Sequence, residues 1–409
     1  MWQKDININE VKELRLKTNV YFGVGAIEKV DDVVKDMASK NIKKVIVVSG
    51  RGAYKITGAW DYVEKALKSY GVEYVNFDRV APNPTTHQVD EAAKMAIDFG
   101  AEAVIAIGGG SSIDAGKSTA ILMKHPGKTC TELYEYAFSP SEAAPILAIN
   151  LTHGTGTEVN RFAVVTVPEK DFKPAIAYDC IYPTWSIDDP KLMTKLSPNQ
   201  TIYVSVDAVN HVVEAATSLC ASPLAITMAK ETIRFVAKYL PVALKDPDNL
   251  EARYFLAYAA LLGGASFDNG LLHYTHALEH PLSALKHELS HGLGLAMLLP
   301  AVVKNIYASK AETLAEIFEP IVPGLKATAD EAEFCAIQIE NWLASVGISQ
   351  KLEDEGFSSS DIDRLVELTF TTPSLGGLLE IAPTKATKEV VAQIYQDSLV
   401  SMSKAKVAN

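Results

Sequence analysis

In the first half of this 409-residue chain, short apolar runs rich in Val and Ile alternate with helical stretches, and that alternation restricts the fold more than any other feature. The runs are KKVIVVSG at 43–50, VEYVNF at 72–77, AEAVIAIGGG at 101–110 and APILAIN at 144–150, with DEAAKMAIDFG at 90–100 as a helical segment between two of them. A strand that is apolar on both sides must be covered on both sides, so the pattern predicts βαβ units and a parallel sheet between two helical layers. From about Pro198 the character changes. TIYVSVDAVNHVVEAATSL, AITMAKETIRFVAKYL and LEARYFLAYAALLGGASF follow one another with few strand signals, and their spacing predicts an all-helical region. The length exceeds what a single core usually supports, so two domains are expected: an α/β domain over 1–196 and an all-α domain over 197–409. The boundary falls in LMTKLSPNQT, where Ser197-Pro198 supplies a turn and a helix start.

Charge and cysteine usage remove several partner classes. The formal net charge is -12 and no basic block is longer than a few residues, which argues against nucleic acid or an anionic membrane as partner. Cys130, Cys180, Cys220 and Cys335 are scattered with no CxxC, as reduced thiols in a cytoplasmic protein would be. The start, MWQKDININEVKEL, is polar, and no run of about 18 apolar residues occurs, so neither a signal peptide nor a membrane span is expected.

AVIAIGGGSSIDAGKS places three glycines between a buried strand and a helix. Helix N-termini offer free N–H groups, and glycine lets a phosphate approach the backbone. Two familiar patterns fail here. Gly110 to Gly116 is one residue too long for a Walker A loop, which misplaces Lys117, and Ile113 stands where a GxGxxG fingerprint needs its third glycine. The loop reads as a phosphate-binding turn of another design, the alternative being a tight turn with no ligand.

HYTHALEHPLSALKHELSHG, at 273–292, holds five of the nine histidines: His273, His276, His280, His287 and His291. In DAVNHVVEA, Asp207 and His211 are spaced i,i+4 and share a helix face, as do His276 and His280. His291 precedes Gly292 at an apparent helix start. One carboxylate and three imidazoles suit Fe(II) or Zn(II) with a coordination position left for a substrate oxygen.

Taken in order, GGGSSIDAGK, THGTGTEVNRFAVVT, DAVNHVVEA and HALEHPLSALKHELSHGLGLAMLLP resemble the iron-containing (group III) alcohol dehydrogenase family, beginning with a strand motif YFGVGAIEKV at 21–30. The resemblance implies an N-terminal dinucleotide-binding domain, a C-terminal helical metal domain and an active site in the cleft between them. It makes Asp207, His211, His276 and His291 the metal ligands, with Fe(II) favoured over Zn(II). It puts Gly109, Gly110 and Ser111 at the pyrophosphate, Asp114 near the nicotinamide and Asn83 near the adenosine ribose. Thr152, Thr155 and Lys173 are implied as further cofactor contacts, and His280 as the non-ligand histidine beside substrate and nicotinamide. His273, His153, His87 and His125 are left as structural or surface residues.

Three positions depart from the family pattern. Leu151 stands where a second threonine is common, which implies one cofactor hydrogen bond fewer. The His280-to-His291 spacing is one residue longer, which makes His287 a rival for the last ligand, although the HG before an apolar helix favours His291. Gly50 replaces an aspartate that would hold the ribose 2′-OH. Its absence, with Ser49 and Arg51 beside it, predicts NADP(H) in preference to NAD(H), with NAD(H) also used.

The function implied is hydride transfer between a nicotinamide and a small metal-bound alcohol or aldehyde, with His280 as proton relay, in a homo-oligomeric enzyme. The alternative is a metal-dependent lyase or hydrolase of the related dehydroquinate-synthase-like fold. A cyclase acting on a sugar phosphate needs a basic pocket, whereas the metal-domain motifs here are dominated by Ala, Leu and His. Arg161 is a candidate to meet an anionic substrate tail.

Overall fold

The computed structural model describes residues 2–5, 10 and 12–402. Its sheet follows from the apolar runs. In β2 (Lys44–Ser49), Val45 and Val47 face one helical layer while Ile46 and Val48 face the other, and all four are fully buried. β4 (Ala103–Gly108) repeats the pattern beside it, with Val45 opposite Ala103 and Val47 opposite Ile105. With β1 (Asn19–Phe22), β3 (Glu73–Phe77), β5 (Ile146–Asn150) and β8 (Trp185–Asp188) they form a parallel six-stranded sheet in the order β1-β8-β5-β4-β2-β3. β6 (Phe162–Val164) and β7 (Ala175–Ala177) make a separate antiparallel pair.

The helices between these strands are α1 (Val30–Ser39), the one-turn α2 (Ala53–Ile56), α3 (Ala59–Ser69), α4 (Thr86–Phe99), α5 (Gly110–Lys124) and the short α6 (Cys130–Tyr134). α1 and α3 cover one face of the sheet, and α4 and α5 cover the other. Chain order runs outward from β2 to β3 and in the opposite direction from β4 to β5, so a switch point lies between β2 and β4. Ligands of open α/β sheets bind at such a crevice, beyond the carboxyl ends of the strands. Gly50 ends β2 and the Gly108–Gly110 turn ends β4, so both border that crevice.

One expectation is corrected. Of YFGVGAIEKV, only Tyr21 and Phe22 belong to a strand, because Gly23 and Gly25 adopt φ of 135° and 90° and turn the chain into a 3-10 turn at Ala26–Lys29.

From Pro198 onward every described element is helical. These are α7 (Pro198–Thr217), α8 (Pro223–Lys245), α9 (Leu250–Asp268), α10 (Tyr274–Leu285), α11 (His291–Phe318), α12 (Ala332–Ser345), α13 (Ile362–Thr371), α14 (Leu375–Glu380) and α15 (Lys388–Leu399), with two short 3-10 turns among them. Ser197 caps α7 by accepting from Gln200 N, with Pro198 in the first turn. We propose the domain boundary between residues 196 and 197 on that cap. α11 is long and apolar enough to cross a bilayer, yet 78% of its most apolar window is buried inside the protein, so it is a core helix.

The two halves meet through the segment after β5. A Cβ on Gly154 would lie 2.7 Å from Val204 Cβ on α7, and one on Gly264 of α9 would collide with the Gly156 carbonyl. Side chains are therefore excluded where this segment touches α7 and α9. Gly264→Ala is expected to lower unfolding stability by about 1–3 kcal/mol, the usual cost of overpacking a tight core. Gly376→Ala, where a Cβ meets nothing within 4 Å, should be close to neutral. Denaturant midpoints of the two variants check this, and equal midpoints would contradict the close-approach account.

Candidate active site in the interdomain cleft

α7 carries Asp207 and His211 one turn apart, α10 supplies His276, and His291 is the first residue of α11. Asp207 Oδ1 lies 3.5 Å from His211 Nε2, 3.7 Å from His276 Nε2 and 4.0 Å from His291 Nε2. Ligands of one tetrahedral ion with bonds of roughly 2.1 Å stand about 3.4 Å apart, so this spacing is close to that of a metal cage. Asp207 Oδ1 and His276 Nε2 are buried and have no hydrogen-bond partner, although buried polar atoms normally find one. Burial alone would lower the His276 pKa, yet Glu214 and Asp207 hold it up to about 9, so the cluster attracts positive charge. Asp207, His276 and His291 offer ligand atoms within 4.8 Å of one another, with His211 beside Asp207, a set that suits a divalent metal. His211 is further fixed by stacking between Phe267 and His276, with ring centroids 4.6 Å and 4.7 Å away.

Two buried glutamates stand behind the histidines. Glu214, one turn beyond His211 on α7, bonds His276 Nδ1 through Oε2, while its Oε1 accepts from the backbone N–H groups of Thr275 at 2.6 Å and His273 at 3.1 Å. Burial would raise its carboxyl, but the His276 imidazole and these donors pull it down to about 2. Glu279 bonds His291 Nδ1 in the same manner. Such carboxylates fix the tautomer and ring orientation of a metal-binding histidine. A Cβ on Gly294 would lie 2.8 Å from Glu279 Cγ, and one on Gly292 would strike the Tyr203 carbonyl, so α11 seats His291 only with glycines behind it. His287 is exposed and apart from this cluster.

His280 is buried with Nδ1 unpartnered, its ring 6.4 Å from His276 and 5.8 Å from His291. Burial holds its imidazole well below the ordinary histidine range, so it is neutral. Lys173 lines the same cavity but points its ammonium at Ser283 Oγ (2.7 Å), Glu279 Oε2 (3.4 Å) and His291 Nδ1 (3.4 Å). It braces the His291 side of the site from behind.

On the opposite wall, α5 begins at Gly110 with its N-terminus open to the cleft. A Cβ on Gly109 would lie 2.7 Å from Thr152 Cγ2, and one on Gly110 would lie 2.5 Å from Thr155 Cγ2. The glycines and threonines thus form one continuous surface, with Ser111 beside it. Leu151 is buried in the sheet core and does not face the cleft.

Several of the expected contact residues also make polar contacts within the protein. Asp114 lines the cavity, yet its oxygens accept from Thr157 Oγ1 at 2.7 Å and Val164 N at 2.9 Å. Burial raises its carboxyl, and it anchors the segment leading to β6. Asn83, at φ 53°, donates its amide to the carbonyls of His287 at 3.0 Å and Leu289 at 3.4 Å, clamping the turn before His291. Ser49 is buried and Arg51 exposed, so of the pair beside Gly50 only Arg51 has access to solvent. Arg161 does line the cavity, but Nε bonds Asp268 Oδ1 at 3.2 Å and Nη1 lies 3.6 Å from Asp179 Oδ1. Its charge is matched by protein carboxylates rather than free for a substrate. Lys117 is fully buried and donates to the carbonyls of Thr157 (2.6 Å), Phe162 (2.7 Å) and Asn160 (2.9 Å).

One cavity of about 550 Å³ joins the two walls, bordered by Gly110 and Ser111 on one side and by Asp207, His211, His276 and His291 on the other. The iron-containing alcohol dehydrogenase model matches residues 17–190, and the C-terminal model of the same family matches residues 201–399. The chain belongs to that family. A long-chain primary alcohol dehydrogenase of Thermoanaerobacter ethanolicus is 59% identical over 97% of this chain and 100% of its own length. A 1,3-propanediol dehydrogenase of Citrobacter freundii is 34% identical over 88% of this chain and 95% of its own. Among solved structures, an NADH-dependent butanol dehydrogenase of Thermotoga maritima superposes with a TM-score of 0.87 at 28% identity, covering 96% of this chain and 99% of that one. The protein is an alcohol dehydrogenase, an oxidoreductase of a family that works with a metal and a nicotinamide cofactor, and the lyase or hydrolase alternative falls away.

Sequence reasoning missed Glu214 and Glu279. The available signal was an acid on an apolar helix face, seven residues after Asp207 in one case and between two histidines in the other. Glu214→Gln is expected to weaken metal binding about 10- to 100-fold, as loss of a carboxylate behind a ligand does elsewhere. Asp207→Ala should abolish metal binding while nucleotide binding persists. Chelator competition and metal analysis read both, and full metal occupancy in Asp207→Ala would remove Asp207 from the ligand set.

Proposed function

We propose that the protein interconverts primary alcohols and their aldehydes with NADP(H) in preference to NAD(H), using Fe(II) held by Asp207, His211, His276 and His291, with Zn(II) the second choice. The observation that carries this reading is the single cavity bordered by both the α5 N-terminus and the unpartnered donors of the metal cluster. A metal bound there supplies Lewis acidity, which lowers the pKa of an alcohol and polarises an aldehyde.

The remaining work falls to the chain. Gly109, Gly110 and Ser111 offer backbone N–H groups and a helix dipole to a pyrophosphate, and Thr152 and Thr155 pack over the turn. His280, with Nδ1 free and its ring beside those of His276 and His291, is the proton relay of this reading. The cavity walls exclude water with Phe162, Val164, Phe267, Leu271, Leu272 and Ile381. With Arg161 neutralised, these walls favour an uncharged alkyl substrate over an acidic one. The T. ethanolicus relative's name supports long primary alcohols in addition to short ones.

Cofactor preference rests on Gly50. None of residues 49–51, which end β2, carries a carboxylate to repel a 2′-phosphate, and Arg51 is exposed. A Cβ at Gly50 would be 3.3 Å from Val80 O, so a larger side chain fits only with a small shift of that loop. Gly50→Asp is expected to move the NADPH/NADH ratio of kcat/KM toward NADH by about tenfold or more, the scale of a like-charge juxtaposition. A wild type that uses NADH as well as NADPH would overturn the preference and leave the alcohol reading intact.

Absorbance at 340 nm with a panel of alcohols and aldehydes, before and after anaerobic chelation and reloading with Fe(II) or Zn(II), tests the function and the metal together. Turnover unaffected by complete metal removal would overturn the metal's role. For His280→Ala, kcat should fall by about 100-fold or more while metal content is retained. If its metal is lost as well, His280 is a ligand and not a proton carrier.

A further inference from the structure

The cavity has three sectors. The metal cluster forms one, and the α5 N-terminus with Asn83 forms the second. The third is apolar and ends at two residues that both line the cavity and are exposed, Tyr136 and Gly377. Its rim is a continuous chain of contacts. The Tyr136 hydroxyl donates to the Ala175 carbonyl at 2.5 Å, and the Ala175 N–H donates to Ser374 Oγ at 3.0 Å. Ser374 immediately precedes α14, three residues before Gly377. The rim thus spans from the α/β half to α14, with Gly377 as its one position without a side chain.

Space at Gly377 is open. A Cβ there would meet nothing within 4 Å, and its φ is not in the left-handed region, so backbone geometry does not require glycine. Gly376 is equally open but borders a different hollow on the far side of α14, together with Leu379 and Glu380. Helix α14 is therefore a partition, and of its two glycines only Gly377 borders the active-site cavity.

We propose that the alkyl tail of the alcohol leaves the cavity between Tyr136 and Gly377, and that the missing side chain at Gly377 lets the accepted chain length run on into solvent. The inference rests on the alcohol reading above, which fixes the hydroxyl end at the metal cluster and the nicotinamide at α5. Gly50 and the β2–β4 crevice draw the rest of the cofactor toward the sheet edge, away from β7 and α14. The third sector is then left for the tail.

A series from ethanol to decan-1-ol, run on the metal-loaded wild type, Gly377→Trp and Gly376→Trp, tests this. Burial of each methylene should raise wild-type kcat/KM by about fourfold at most while the tail lies within the apolar walls. Beyond the rim the value should level off without falling. Gly377→Trp should lower the decanol-to-butanol ratio of kcat/KM at least tenfold, whereas Gly376→Trp should keep the wild-type profile. If Gly377→Trp loses turnover of butanol too, Gly377→Leu decides by the same ratio. A wild-type profile that falls sharply past some length, or a ratio unchanged in the Gly377 variants, overturns the inference while the alcohol reading stands. A wild type inactive on every member overturns both.

Discussion

The segment from Leu151 to Thr157 is the constraint on which the rest of the molecule depends. It leaves the sheet at β5, presses Thr152 and Thr155 onto the glycine turn of α5, and then approaches α7 and α9 closely at Gly154 and Gly156. Close packing of this kind transmits displacement, since interiors at crystal-like density have no slack to absorb it. Lys117 reinforces the wedge from below. Burial pushes its ammonium down to about 8, and three backbone carbonyls around Nζ supply acceptors in place of water. The lysine that is misplaced for a Walker loop is a fastener for the loop opposite. His153 completes the attachment. It is fully buried, its pKa pushed down to about 3 by burial and by Arg253. Arg253 Nη1 donates to His153 Nε2 at 2.9 Å, which leaves the proton on Nδ1, 3.3 Å from Ser205 Oγ on α7. Ser205 is two residues from Asp207, so one loop touches both the nucleotide wall and the metal helix.

Buried charge explains the other half of the site. Asp207, Glu214 and Glu279 are all sequestered from water, which is costly unless each finds a partner. Glu214 finds its partners in backbone N–H groups and His276 Nδ1, and Glu279 Oε2 finds them in His291 Nδ1 and Lys173, while Glu279 Oε1 has none. Asp207 Oδ1 finds none in the chain. The helices are thus locked around a point with an excess of negative charge, and a divalent cation is the species that balances it. A metal bound there would meet side chains already ordered by the acids behind them.

How much of this the sequence disclosed follows the range of each interaction. Strands β2 and β4 are legible because period and composition are local, and the shared face of Asp207 and His211 is legible because helix geometry fixes i,i+4 neighbours. The cap at Ser197 is legible for the same reason. Partners brought together from distant positions are not. Asn83 meets His287 across 204 residues and Arg161 meets Asp268 across 107, so neither pairing leaves a trace in local pattern. The resemblance to the family implies Asp114, Asn83 and Lys173 as cofactor contacts; all three line the cavity, and their polar groups also hold chain segments that border it. β8 escaped notice because WSID is only four residues long and carries two polar side chains, which are buried only because Ser186 Oγ donates to the Glu158 carbonyl and Asp188 accepts from Asn150.

The same cross-chain pairings decide what the cavity can discriminate. Arg161 lies between Asp268 and Asp179, and Asp268 also accepts from the Tyr182 hydroxyl at 2.5 Å. Lys173 faces Glu279, and Asp114 is held by Thr157 and Val164. Each charged group on the cavity wall outside the metal cluster is therefore already matched within the protein. Away from the metal cluster, a substrate carboxylate or phosphate would lose its hydration and gain no free side-chain cation, a loss that an uncharged alkyl chain does not incur. The preference for neutral alcohols proposed above would thus arise from side chains that never touch the substrate. The unpartnered polar atoms on the cavity wall are gathered at the histidine cluster, Asp207 Oδ1, His276 Nε2 and His280 Nδ1 among them, which directs an oxygen there and an alkyl tail away from it.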